Sequence, residues 1–218
     1  MSELHFPYQY ICIEGNIGTG KTSFSRLMKK EYDCRLILEE FSENPFLPYF
    51  YEDPERFAFT VELFFMTERY KQMERNLISQ RDLFSPFTLS DYTFVKTLIF
   101  ARKNLKSEEY RLFQQLFQTL QNNFPNPDLL VYLHRNVDIL LQNIKKRGRE
   151  YEVYITREYL YNIQDSYFDY FRNIVSFPVL IIDIDDLDFL SEKKYYDVIK
   201  SLIAKKYNPG VHRVSLHV

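Results

Sequence analysis

Five short apolar runs punctuate this chain, separated by stretches in which apolar residues recur at helical spacing. The runs are Tyr10-Ile11-Cys12-Ile13-Glu14, Cys34-Arg35-Leu36-Ile37-Leu38, Phe87-Thr88-Leu89-Ser90, Leu129-Leu130-Val131-Tyr132-Leu133 and Val179-Leu180-Ile181-Ile182-Asp183. Rich in β-branched and long apolar residues, they read as buried strands. Between them the spacing predicts helices over residues 23–30, from Pro54 to about residue 80, over 92–103 and 108–122, over 137–148, over 157–172, and after Ser191. Ser107 reads as the cap of the helix starting at residue 108, and Pro54 as the first residue of the long one. Continuous apolar strands alternating with helices predict an α/β fold with a five-stranded parallel sheet. No repeat, linker or low-complexity segment interrupts it, so residues 1–218 read as a single domain. Ligands of such sheets bind beyond the carboxyl ends of the strands. The residues just after each run are therefore the candidates for chemistry.

The first run leads into Gly15-Asn16-Ile17-Gly18-Thr19-Gly20-Lys21-Thr22, which matches the phosphate-binding pattern G-x-x-x-x-G-K-[ST] in its strand–turn–helix setting. Glycines let backbone N–H groups converge on phosphate oxygens, and the helix start adds positive potential. Lys21 is placed to reach the β- and γ-phosphates, and Thr22 to ligate Mg²⁺. Three of the chain's five glycines fall in this loop, so unusual backbone geometry is concentrated there.

Charge and composition narrow the partners. Twenty-eight Lys and Arg against thirty Asp and Glu leave a net charge of −2, which argues against a nucleic acid as partner. No apolar run approaches the roughly 20 residues needed to span a bilayer, so no membrane partner is expected. The first ten residues lack a cationic start and apolar core, so no secretory leader is expected. Cys12 and Cys34 both lie in strand-like runs and read as reduced core residues of a cytoplasmic protein. The four histidines have no metal-ligand spacing.

Three further segments follow strands or end helices. Glu39-Glu40, after the second strand, offers a carboxylate to accept a hydroxyl proton, although spacing alone neither chooses between the two nor excludes a solvated loop. Asp91, after the third, suits a Mg²⁺-associated carboxylate or an N-cap for a helix starting at Tyr92. Arg147-Gly148-Arg149 reads equally as an ordinary helix end.

The segments Glu39-Glu40-Phe41-Ser42-Glu43-Asn44-Pro45-Phe46-Leu47, Tyr51-Glu52-Asp53-Pro54-Glu55-Arg56 and Lys145-Lys146-Arg147-Gly148-Arg149, in this order after the phosphate loop, resemble the deoxyribonucleoside kinases. They are most similar to the bacterial deoxyguanosine and deoxyadenosine kinases. The resemblance covers most of the chain and implies a P-loop kinase fold. It implies transfer of the ATP γ-phosphoryl group, with Mg²⁺, to the 5′-hydroxyl of a deoxyribonucleoside. It places Glu39 as general base, Tyr51 and Glu152 on the sugar 3′-hydroxyl, Arg147 and Arg149 on a lid over the phosphates at about residues 147–155, and a homodimer as the assembly.

This chain departs from that pattern in three places. Tyr92 stands in Asp91-Tyr92-Thr93 where relatives carry an arginine, with Lys96 one turn on as a candidate replacement. Asn143 stands where many relatives carry an arginine near the ATP base. Glu62 stands eleven residues after Tyr51, where relatives commonly hold the nucleobase with glutamine. An ionised carboxylate only accepts hydrogen bonds, which suits the two neighbouring donors of guanine better than the donor–acceptor edge of adenine. Arg69, seven residues on, is expected to donate to guanine O6 or N7. Deoxyguanosine is then favoured over deoxyadenosine; the alternative is that Glu62 simply pairs with a nearby cation. The enzymatic rival is a nucleoside monophosphate kinase of thymidylate-kinase type, which needs further arginines for the acceptor's phosphate. A GTP-dependent switch protein would need N-K-x-D and D-x-x-G elements, and neither occurs.

Overall fold

The computed structural model describes residues 4–39, 44–79, 85–185 and 187–216. Glu40 and the expected helix end at residue 80 lie outside them. The strands are β1 (Tyr10–Gly15), β2 (Arg35–Ile37), β3 (Thr88–Ser90), β4 (Leu129–His134), β5 (Pro178–Asp183) and β6 (Gly210–Ser215). The helices are α1 (Lys21–Glu31), α2 (Leu47–Glu52), α3 (Pro54–Met73), α4 (Lys96–Asn104), α5 (Ser107–Gln121), α6 (Val137–Arg147), α7 (Arg157–Phe171) and α8 (Lys193–Ile203). A π-helical stretch, Glu74–Ser79, extends α3, and a 3₁₀ turn, Glu150–Tyr154, lies between α6 and α7.

The sheet is parallel throughout, in the order β2-β3-β1-β4-β5-β6. Pleating sends alternate residues of β4 to opposite faces. Leu130 and Tyr132 join the core under α3, α4, α5 and α7, whereas Leu129, Val131 and Leu133 join the core under α1 and α8. Burial on both faces is why the central strands read as unbroken apolar runs.

Six strands, not five, form the sheet among the described residues. The sixth was missed because β6 is an edge strand whose residues alternate between half-buried and exposed, with His212 and Arg213 breaking any apolar run. It is held to β5 by backbone pairing and by Asp183, which accepts from Arg213 Nε and Nη2 at 3.1 and 2.9 Å.

Three helix starts also differ, α1 beginning at Lys21 rather than at residue 23. Helix α4 begins at Lys96 rather than at residue 92, because the chain from Asp91 to Thr93 is bonded elsewhere. Asp91 N–H donates to Ile37 O at 3.1 Å, and Thr93 N–H to the buried Glu14 carboxylate at 2.7 Å. Asp91 is therefore not the cap of that helix. Helix α5 starts at Ser107 itself, and Glu109 folds back to accept from Lys106 N–H at 3.2 Å. Side chains cap other helices as well: Asp53 accepts from Arg56 N–H ahead of α3, and Asn136 from Asp138 N–H ahead of α6.

Candidate functional site

The successive strands β3 and β4 lie on opposite sides of β1, so the chain changes direction around it. The carboxyl ends of β1, β2 and β3 therefore open into one crevice. Gly15–Thr22 turns from β1 into α1 at its mouth, with Gly18 and Gly20 at φ +82° and +96°. A Cβ at Gly18 would stand 2.8 Å from Leu140 O, so nothing larger fits. The loop is fastened from outside. Asn16 Nδ2 donates to Leu160 O at 2.8 Å, and Asn143 Nδ2 donates to Gly18 O at 2.9 Å. Asn143 thus lies against the phosphate loop. Ile17 N–H donates to Asn16 Oδ1 at 2.8 Å, and Thr19 Oγ1 to Asn16 O at 2.7 Å. Burial and the neighbouring Lys96 lower the Lys21 ammonium to about 8, against the opposing pull of Glu39, Asp91 and Glu14.

Asp91, fully buried at the end of β3, accepts from the Thr22 hydroxyl through Oδ2 and from Glu39 N–H through Oδ1 at 2.7 Å. One carboxylate thus ties the phosphate loop to the segment after β2. Burial pushes its pKa up, and the Thr22 bond offsets part of that.

Glu39 sits between two cations. Arg69 of α3 donates Nε and Nη2 to Oε1 at 2.9 and 2.7 Å, while Lys96 Nζ of α4 bonds Oε2. Burial raises the Glu39 pKa, but Lys96, Arg69 and Lys21 together hold it well below the usual carboxylate range. Arg69 spends its remaining nitrogen, Nη1, on Thr97 Oγ1 at 3.0 Å. Arg69, expected at a guanine edge, has its guanidinium bonded to Glu39 and Thr97 in this structure. Tyr92, with no exposed surface, bonds Gln72 Oε1, and Gln72 Nε2 in turn donates to Leu38 O at 2.8 Å. The side chain at position 92 therefore braces the strand end from behind, and the charges beside Glu39 come from Arg69 and Lys96.

Tyr51, Glu62, Arg69, Lys96 and Glu152 line one cavity together with Lys21, Thr22 and Glu39. Glu62 is 2% exposed, accepts from Asn104 Nδ2 through Oε1 at 2.6 Å, and makes no ion pair among the described residues. Across the cavity, Arg147 donates Nε and Nη2 to the two oxygens of Glu152 at 3.0 and 2.6 Å, and Arg149 Nη1 reaches Oε1 at 3.4 Å. The 3₁₀ turn carrying Glu152 also stacks Tyr151 on Tyr51, their centroids 6.3 Å apart. Glu39, Tyr51, Glu62, Arg69 and Glu152, expected on the acceptor side, thus line one cavity, and Asp91, also expected there, does not line it but bonds Glu39 N–H. The roles of Thr97, Asn104 and Glu14 had no signal in the sequence. Their side chains become informative only once α4 and β1 are packed: Glu14, buried, accepts from Thr93 N–H and Oγ1 and from Tyr167 OH.

The described residues contain no cluster of three or more His, Cys, Asp or Glu suited to holding a metal, and no described helix is long and apolar enough to cross a membrane. The geometry is that of a partly open, polar-lined cavity abutting a phosphate loop, and the comparisons with known proteins agree with it. Residues 11–207 match the family model described as deoxynucleoside kinase. A deoxyguanosine kinase of Bacillus subtilis is 29% identical over 194 residues, covering 87% of this chain and 93% of its own. A deoxyadenosine/deoxycytidine kinase of the same organism is 29% identical over 208 residues, covering 94% and 96%. The solved deoxyadenosine kinase from M. mycoides with bound dATP shares the fold at a TM-score of 0.76 and 24% identity, over 90% of this chain and 100% of that one. The chain belongs to the deoxynucleoside kinases, nucleotide-binding phosphotransferases of the P-loop kinase fold.

Proposed function

We propose that this kinase moves the γ-phosphoryl group of ATP to the 5′-hydroxyl of a purine deoxyribonucleoside, deoxyguanosine ahead of deoxyadenosine, and works as one domain over residues 1–218. The observation that carries the reading is the position of Glu39, whose carboxylate faces the same cavity as Lys21 and Thr22 and is held at both oxygens. In the transfer, the 5′-oxygen bonds to the γ-phosphorus as the bond to the β–γ bridging oxygen breaks, and the hydroxyl proton passes to Glu39. Arg69 and Lys96 fix the orientation of that carboxylate. Lys21 and the lid residues Arg147 and Arg149, within about 147–155, meet the charge that builds on the phosphoryl oxygens.

The adjoining Thr22 hydroxyl and Asp91 carboxylate form a small set of hard oxygen donors at the phosphate loop. That set fits Mg²⁺, which is usually held by one or two protein oxygens plus substrate phosphates rather than by an all-protein cage. Thr22 and Asp91 would hold the ion, and it would supply neutralising charge at the phosphates. Tyr51 and Glu152, beside each other in the cavity, suit a sugar 3′-hydroxyl, and Glu62 suits the donor edge of guanine.

A homodimer is supported by exposed apolar residues on neighbouring helices, Leu112 and Leu116 of α5 and Leu63 of α3. A cytoplasmic setting is supported by two free, buried cysteines. Four deoxynucleosides and their monophosphates, each offered with ATP and Mg²⁺ while ADP release is followed, test the reading. The expected result is turnover of deoxyguanosine first, deoxyadenosine second and no monophosphate. Turnover confined to monophosphates or pyrimidine nucleosides would overturn it.

A further inference from the structure

Glu62 carries an unresolved demand. Its Oε1 accepts from Asn104, but its Oε2 is buried and has no hydrogen-bond partner among the described residues. A buried carboxylate oxygen in that state is relieved in two ways: by an N–H from a molecule in the cavity, or by a proton on the carboxyl group itself. Both are open here. Burial pushes the Glu62 pKa up to about 7, with the Asn104 bond, Arg69 and Lys96 drawing it down and Glu39 adding to the rise.

The groups that face Glu62 come from every element around it. Arg69 lies on its own helix, Lys96 and Asn104 on α4, Tyr51 on α2 and Tyr159 on α7, with Glu39 beyond β2 and Glu152 on the lid turn. The two cations among them are bonded to Glu39 rather than to Glu62. No ion pair among the described residues therefore locks Glu62 in one charge state.

The two states present different edges. As a carboxylate, Glu62 only accepts, which matches the adjacent N1–H and 2-amino donors of guanine. As a neutral acid it carries one donor beside one acceptor, the same pattern as a carboxamide, which matches the 6-amino group and N1 of adenine. Asn104 biases the choice, because its N–H favours the charged form. We propose that Glu62 and Asn104 form a base-reading pair in which the proton on Glu62 selects the purine, the ionised form taking deoxyguanosine and the neutral form deoxyadenosine. This rests on the placement of the nucleoside base beside Glu62 in the reading above. Asn104 is the positioning residue of the pair; Glu62 is the group that touches the base.

The measurement is the ratio of kcat/KM for deoxyguanosine to that for deoxyadenosine, taken on the full chain with saturating Mg-ATP from about pH 6 to about pH 8.5. Titrations of Glu39, the lid or ATP act on both substrates and cancel in the ratio. The expected ratio rises with pH, by roughly tenfold or more across that range. Glu62→Gln flattens the profile and leaves deoxyadenosine favoured. Asn104→Leu, which removes the N–H that favours the charged form, keeps the rise but moves its midpoint to higher pH. A flat wild-type ratio with both purines phosphorylated overturns the pair while leaving the kinase reading intact. Failure to phosphorylate either purine, with a pyrimidine deoxynucleoside turned over, overturns the placement of the base and the proposal together.

Discussion

Arg69 donates two of its nitrogens to a single oxygen of Glu39, at 2.9 and 2.7 Å, so that the other oxygen is left to Lys96. The two cations come from different helices, α3 and α4, and meet at a carboxylate beyond the end of β2. A planar guanidinium sets the tilt of the carboxylate in a way a point charge does not. With Glu39 as the proposed base, this geometry predicts that Arg69 acts on the reacting end of the nucleoside rather than on its base.

Arg69→Lys separates these two roles. Its expected effect is a fall in kcat of about tenfold or more, in line with a misplaced reacting group, equal for deoxyguanosine and deoxyadenosine. Steady-state kinetics on both substrates check it. A loss confined to deoxyguanosine would return Arg69 to the base-reading role.

Glu39→Gln keeps the size of the side chain and most of its hydrogen bonds but cannot take a proton. Nucleoside affinity measured by calorimetry should stay within a few-fold, while kcat falls by about 10²–10⁴-fold, the range ascribed to a positioned base. A variant with near-normal kcat would remove Glu39 from the chemistry.

Glu152 shares the cavity with Tyr51, and both arginines of the lid are drawn to it. If the pair holds the sugar 3′-hydroxyl, a 2′,3′-dideoxynucleoside should lose about 10- to 100-fold in kcat/KM, the worth of a hydrogen bond to a charged group. Glu152→Gln should narrow that gap by weakening only the natural substrate. Equal efficiency for the two sugars would exclude the contact.

Gly18→Ala adds a methyl group 2.8 Å from Leu140 O and 2.9 Å from Ile144 Cγ1, at a left-handed φ of +82°. The backbone strain alone is about 1–2 kcal/mol. For a chain of this size that corresponds to a melting temperature lower by about 2–8 °C. The KM for ATP should rise as well, because the loop must shift to make room. Unchanged melting and KM would show that α6 gives way freely.

The parallel sheet was legible because its central strands are buried on both faces and so appear as unbroken apolar runs, as in Leu129 to Leu133. β6 was not, since an edge strand with one covered face leaves an alternating pattern that His212 and Arg213 disguise. In the site, the phosphate loop and Asp91 were legible from their position directly after a strand. The partners of Glu39 were legible only in part: Lys96 stood out as a replacement for the arginine missing at Tyr92, whereas Arg69 read as a contact to the base. Arg69 and Lys96 lie 30 and 57 positions away in the chain, and only the packing of α3 against α4 brings them to one carboxylate. Asn104, at the far end of α4, has no local pattern to mark it, and its meeting with Glu62 is likewise a product of that packing.

The bonds that fasten the phosphate loop bear on how the lid proposed for about residues 147–155 would move. Asn143 lies on α6 just before the lid, and Leu160 on α7 just after it; both are tied to the loop, one through Gly18 and the other through Asn16. On the proposed reading, the lid is then a short arch of chain with its two feet on the phosphate loop. Its closing would be a local bend between fixed points rather than the swing of a separate body, with the order lost and regained in each turnover confined to those few residues.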